Sequence, residues 1–492
     1  MHIYYWLLLL FSALLNSVNV VWVDWFWWTP FVSIIPFLYA SYFVTIPYYA
    51  CYIWAFCSNT IHLYGIIMGT QRFTTSPWYY NAFVGCIIIA YSALFGLVIR
   101  AVVDIFKKIA TLYDKRHNIT YNFSFLPAWA AGLWLYFTLM NGWSLAPFGI
   151  AEGYFSFNPL LTLVQHPFLL HSLPRLGIYS LLLILLIGQL FIVELFLIYM
   201  VHDYKRHPIL RRYTKVSLSK INMFFLLSSI IFIWFLSIVL PQKSIPAPQW
   251  LERIIAVPTF FERTIVLNKT AQQAQNVLKS IAKKYPTKDI ILMPEAAFYC
   301  EHIHEPNICA YWNAQQIGKP LHLIFGAFRW ENNLYRNSAY WLYNGKVKDV
   351  FDKRHAMVLI ERIPALCKCN LIHNLYFKES PEIIPSDNPR PTWQIDDMCL
   401  VPYLCSELFF MKKTDAPKNC TLVALCNDRW ADAHVQKLMC MLAQYKAIVW
   451  QRPIIYVSFS YNAYINIQGI ATPLTTYTNH AGSGSSTRSN TR

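Results

Sequence analysis

The chain is poor in charge and in glycine. Charged residues make up 13% of 492 residues, against about 25% in an ordinary soluble domain, and there are only 16 glycines. So few polar groups argue against a single cytosolic enzyme. So little glycine excludes a collagen-like repeat, and 17% aromatic residues exclude a disordered chain. No internal repeat is evident. What is abundant is apolar residue, 56% of the total, alongside a net charge of +16.

The apolar residues cluster in runs near 4–21, 28–46, 48–69, 82–103, 124–148, 176–201 and 222–241. Each approaches the ~20 residues that cross a bilayer as a helix, which predicts an N-terminal all-α transmembrane bundle of about seven spans over residues 1–245. The aromatic group Trp22, Trp25, Trp27 and Trp28 suits an interfacial belt or ordinary packing. Basic residues concentrate in two loops. Arg100, Lys107, Lys108, Lys115 and Arg116 follow the fourth run; Lys205, Arg206, Arg211, Arg212, Lys215 and Lys220 follow the sixth. The opposite loops hold only Arg72 and Arg175. This asymmetry places the basic loops and the N-terminus in the cytoplasm and the C-terminal half on the periplasmic side of a bacterial inner membrane. It also assigns the basic excess to an anionic leaflet, with no nucleic acid expected as partner. Gln189 and Glu194 are costly polar groups within the runs.

After the linker Pro246, Ala247, Pro248 the pattern changes to alternating strands and helices, a mixed α/β domain over 246–478 with a flexible tail at 479–492. Strands are predicted over 253–259, 289–293, 321–328, 339–343, 347–351, 398–404, 421–425 and 454–459. Helices are predicted over 264–284 and about 432–450. Asn344-Gly345 reads as a hairpin turn. Nine of the twelve cysteines lie in this half, so at least one thiol stays unpaired within the chain. Cys367-x-Cys369 and His302-x-His304 lack partners for a metal site, and no metal or organic cofactor is implied.

Three predicted strands end in a reactive side chain: Glu295 after 289–293, Lys353 after 347–351, and Cys405 after 398–404. Strand ends at one sheet edge are where α/β proteins gather catalytic groups. A cysteine nucleophile needs a base for its proton and a fixed cation for the developing oxyanion, and these three residues are one of each.

On these residues the chain resembles the nitrilase (carbon–nitrogen hydrolase) superfamily, whose Glu-Lys-Cys triad comes in this order. It is most similar to the apolipoprotein N-acyltransferase branch, through Arg336-Asn337-Ser338-Ala339, Lys353-Arg354-His355 with Glu361 and Pro364, Cys405-Ser406-Glu407, Asn427-Asp428 with Trp430, and Arg452-Pro453. Shortened conjugal-transfer members of the superfamily are also similar. The chain departs from the branch at Ile360, where a Gly is usual, and at Ser406, where an aromatic is common.

The resemblance implies a nitrilase-like α-β-β-α sandwich. It makes Glu295 the general base, Lys353 the holder of charge on the tetrahedral intermediate and Cys405 the thioester-forming nucleophile. Glu361 would orient the Lys–Glu pair, the Ser406 N–H would serve the oxyanion hole, and Glu407 would support the nucleophile. The implied activity is that of a membrane-bound N-acyltransferase, moving an acyl group from a phospholipid to Cys405 and then to an amine such as a lipoprotein N-terminus. Two alternatives are open: a tethered amidase, or a catalytically silent envelope component of a conjugal-transfer system.

Overall fold

The structure is a computed structural model. It describes residues 3–43, 46–70, 85–86, 89–90, 96–105, 108–109, 112, 130–135, 161–165, 170, 173–203, 245–258, 267–297, 320–331, 334–356, 361, 382–410 and 414–477. The chain divides into two compact units, one of 1–244 with 430–451, the other of 245–429 with 452–492.

The first unit is helical. Its described helices include Ile3–Val21, Ile35–Phe43, Tyr48–Thr70, Leu173–Asp203 and Ala433–Trp450. Among the described residues, no helix is long and apolar enough to cross a membrane. This overturns the expected seven-span bundle, and with it the multi-pass inner-membrane location with a periplasmic C-terminal domain.

The physical reason is that a run of apolar letters is not a continuous apolar helix. The run at 28–46 breaks into a 3₁₀ turn, Thr29–Phe31, and a helix of only 9 residues. At 1.5 Å per residue such a helix reaches about 14 Å, half of a hydrocarbon core. The helices from the first and third runs meet instead through paired polar side chains. Asn16 donates to Ser58 Oγ (2.8 Å), and Trp54 Nε1 donates to Ser12 Oγ (3.2 Å). Within Leu173–Asp203, Gly177 leaves helical geometry at φ 76°.

Gln189 likewise has a local role. Its amide donates to Pro30 O (2.8 Å) and its carbonyl accepts from Ile34 N (2.7 Å), satisfying backbone groups freed where the 28–46 run breaks. The runs at 124–148 and 222–241 lie largely or wholly outside the described residues, as do most of the two basic loops and the Glu194 side chain.

The second unit holds two sheets. The first has strands in the order β1 (Ile254–Ala256), β2 (Ile290–Leu292), β3 (His322–Glu331), β4 (Leu334–Tyr343) and β5 (Lys346–Asp352). The second runs β11 (Ala471–Pro473), β10 (Asn462–Ile465), β9 (Ile454–Val457), β8 (Thr421–Leu425), β7 (Met398–Leu404) and β6 (Trp393–Ile395). β1, β2 and β3 are parallel, whereas β4 is antiparallel to both β3 and β5. β5 therefore runs the same way as β2. In the second sheet β7, β8 and β9 are parallel.

Alternation along the strands explains the layering. Ile254, Ile290, Leu292 and Ile324 face inward with Leu400, Leu404, Val423 and Ile455, forming one apolar core shared by both sheets. Their neighbours Ile255, Ile291, Leu323 and Phe325 point the other way, onto Val277, Leu278 and Ile281 of the Leu267–Lys284 helix. Each buried Leu or Ile contributes about 1.5–3 kcal/mol. Asn344 (φ 50°) and Gly345 (φ 74°) turn β4 into β5 as the sequence predicts. β6, β10 and β11 are strands that the sequence reading does not anticipate.

Candidate active site

Glu295 follows β2 after Met293 and Pro294. The next residue, Ala296, takes a left-handed φ of 55°, a conformation alanine adopts only when its surroundings enforce it. β3 supplies that enforcement. Gly326 N donates to Pro294 O (3.1 Å) and Gly326 O accepts from Ala297 N (3.0 Å), so the turn carrying Glu295 is strapped on both sides.

Lys353 leaves β5 with its N–H on Asn337 O (2.8 Å). Cys405 leaves β7 at φ 39°, a strained turn into the short helix Ser406–Phe410. Its N–H bonds Leu425 O (2.9 Å) on β8.

These turns bring the predicted charges together. Lys353 Nζ lies 2.8 Å from Glu295 Oε1 and 2.8 Å from Glu361 Oε1. Asn337, pointing in from β4, donates Nδ2 to the same two oxygens at 2.7 and 2.9 Å. The second oxygen of Glu295 accepts Asn427 N from the segment after β8 (3.2 Å). Lys353 is 1% exposed, Glu295 4% and Cys405 5%, so the group is almost dry.

Burial raises the Glu295 pKa above the ordinary carboxylate range, and the Glu361 charge adds to this against the pull of Lys353 and Asn337. Burial works against the charge on Lys353, but the two carboxylates outweigh it and hold the ammonium protonated well above the usual lysine range. The Cys405 thiol is pushed well up by its hydrogen bond with Cys426, then by burial and the Glu295 charge, with Lys353 opposing. The end of β8 links the two groups, since Leu425 O accepts Cys405 N (2.9 Å) and Asn427 N, two residues on, donates to Glu295.

The side chains of Glu407 and Ser406 stand apart from this cluster. Fully buried, Glu407 accepts Arg354 N (2.8 Å), Leu404 N (2.9 Å) and Arg390 Nη1 (3.0 Å). Ser406 Oγ donates to His355 O (2.7 Å). Both fasten the Cys405 turn to the residues after Lys353. Arg390, which nothing in its proline-rich surroundings singles out, lies 3.7 Å over the Tyr403 ring and 4.6 Å over that of Phe351.

Asn337 and Asn427 stand in the sequence as family-like letters without a role; their hydrogen bonds to Glu295 supply one. Gly326 carries no sequence signal beyond an interruption in an apolar strand. Cys399 and Cys420 are joined by a disulfide. Among the described residues no group of three or more His, Cys, Asp or Glu could hold a metal ion. The Cys367-x-Cys369 and His302-x-His304 pairs lie outside the described residues, as do 362–381 and the predicted tail.

No protein-family model matches the chain, and no curated protein does. Among solved structures, a carbon-nitrogen hydrolase from Helicobacter pylori G27 is similar over 45% of this chain and 85% of its own, at 15% identity and a TM-score of 0.32. An amidase from Nesterenkonia sp. is similar over 45% and 86%, at 11% identity and 0.29. A CN-hydrolase superfamily protein from Xanthomonas campestris is similar over 43% and 82%, at 14% identity and 0.32. These structural neighbours are carbon–nitrogen hydrolase superfamily proteins. None of these three is a lipoprotein acyltransferase or a conjugal-transfer protein.

Proposed function

We propose that the second unit is a cysteine-dependent acyl-transfer enzyme of the carbon–nitrogen hydrolase type, working through a thioester on Cys405. The observation that carries this is the buried Glu295–Lys353 pair with Glu361 against it, held by Asn337 near a cysteine on a strained turn.

In the reaction Glu295 takes the Cys405 proton as sulfur attacks a substrate carbonyl. The carbonyl π electrons move to oxygen, and the Lys353 ammonium with the Ser406 N–H balances that charge. Collapse breaks the bond to the leaving group, which departs with the proton that Glu295 received, leaving the thioester. An acceptor then attacks, gives its proton to Glu295, and releases the acyl product and the Cys405 thiol. A buried carboxylate of raised pKa suits Glu295 to accepting and returning that proton. Glu361 and Asn337 hold Lys353 and Glu295 in place, and Glu407 positions the Cys405 turn.

For the finer identity we propose, from the sequence resemblance, a phospholipid ester as acyl donor and a primary amine, such as a lipoprotein N-terminus, as acceptor. Water in place of the amine makes the same machinery an amidase.

The test is mass spectrometry of the full-length protein after incubation with acyl-labelled phospholipid, and separately with a short aliphatic amide. An acyl adduct on the Cys405 peptide, released by hydroxylamine and missing in Cys405→Ala, supports the thioester. Which donor gives the adduct separates acyltransferase from amidase. No adduct from either, with the protein folded, overturns the proposal.

A further inference from the structure

The β7–β8 ladder keeps one register from Leu400↔Thr421 to Leu404↔Leu425. One step before its first rung stand Cys399 and Cys420, 21 residues apart in sequence and joined with Cα atoms 4.6 Å apart. One step past its last rung stand Cys405 and Cys426, separated by the same interval, both buried and both free thiols.

The ladder carries on to that second pair, since Cys405 N still bonds Leu425 O at 2.9 Å. Although Cys405 has already turned out of its strand, its thiol still meets that of Cys426 in a hydrogen bond, so the two sulfurs face each other. A disulfide tolerates Cα separations of about 4.4–6.8 Å, a range that the first pair already meets on this ladder. The acyl-transfer chemistry has no use for Cys426.

We propose that Cys405 and Cys426 form an oxidisable pair, in which a hydroperoxide converts Cys405 to a sulfenic acid and Cys426 resolves it to a disulfide. The balance is closed. Glu295 takes the Cys405 proton as the sulfur attacks one peroxide oxygen, the O–O bond breaks, and the departing oxygen picks up that proton and leaves as water or an alcohol. Cys426 sulfur then attacks the Cys405 sulfur and expels the hydroxyl, which leaves as a second water once protonated by the proton Cys426 gives up. Two thiols lose two electrons and the peroxide gains them. The linked state protects Cys405 from irreversible over-oxidation and returns to the thiol on reduction.

The test needs no substrate, so its failure leaves the acyl-transfer reading intact. Full-length protein is treated with hydrogen peroxide, its remaining thiols are blocked under denaturing conditions, and the unreduced peptides are mapped by mass spectrometry. The expected result is a Cys405–Cys426 linked peptide, lost after treatment with a phosphine, with the Cys399–Cys420 link as internal control. In Cys426→Ser and Cys426→Ala, Cys405 is expected to accumulate as sulfinic acid at peroxide doses where the parent gives only the link. Three outcomes overturn the proposal: equal over-oxidation in parent and variants, Cys405 linked to another cysteine, or Cys405 left untouched.

Discussion

Gly326 and Glu295 are in such close contact that a Cβ built on the glycine would stand 2.5 Å from the Glu295 Cα. A real side chain cannot occupy that space, so Gly326→Ala has to push the Glu295 turn outward. The expected cost in stability is about 1–3 kcal/mol. The expected loss in acylation rate is larger, tenfold or more, because the carboxylate leaves its place beside Lys353. Single-turnover acylation beside a thermal melt checks this, and an acylation rate that falls no further than stability accounts for counts against it.

The cysteine itself gives a pH signature. Its pKa is raised, first through Cys426, then by burial and the negative charge of Glu295. Alkylation of Cys405 in the resting protein should therefore rise with pH and reach half its maximum above ~8.5, where a free thiol titrates. Glu295→Gln removes one of the charges opposing the thiolate, so the alkylation midpoint should fall while turnover is lost. Peptide-resolved iodoacetamide labelling across pH measures both.

Lys353 lies 2.8 Å from both the buried Glu295 carboxylate and the partly buried Glu361 carboxylate. Lys353→Met should destabilise by about 3–5 kcal/mol, the usual consequence of stranding buried charge. The variant should regain part of that stability as pH falls and the carboxylates protonate. In the parent the slope has the same sign but falls at the alkaline end. Because the folded Lys353 pKa lies above its unfolded value, its contribution is complete below ~10.4 and is lost as pH climbs beyond. Denaturant titrations of parent and variant at several pH values test both limbs.

Asn337 donates to both carboxylates without adding charge. Asn337→Asp places a third carboxyl against them and should raise the Glu295 pKa further, moving the acid limb of kcat/KM to higher pH. Asn337→Ser, which keeps a shorter donor, should restore part of the rate with a smaller shift of the limb. An unmoved limb in the Asp variant would falsify the role of Glu295 as base.

What could be read in the sequence follows from what short-range pattern encodes. Met398–Leu404 and Thr421–Leu425 are visible to the residue because each is an apolar run bounded by polar or turn-forming residues. Asn462–Ile465 and Ala471–Pro473 are not, because three or four residues hold too little alternation to stand out. The positions of Glu295, Lys353 and Cys405 at strand ends are legible. The contacts of Asn337, Asn427 and Arg390 are not, since each reaches a partner far along the chain.

In the helical unit the expectation fails because hydropathy counts apolar letters. It does not see that Asn16 bonds Ser58, that Gln189 bonds the backbone at Pro30 and Ile34, or that Gly177 interrupts the helix Leu173–Asp203.

Glu407 binds Arg354 N and Leu404 N on one buried carboxylate. The stretch bearing the ammonium and the stretch bearing the sulfur are thereby a single mechanical part. Neither can drift without dragging the other, so the site loses its shape in one motion and regains it in one, with no half-assembled stage in which a bare thiol waits for its cation.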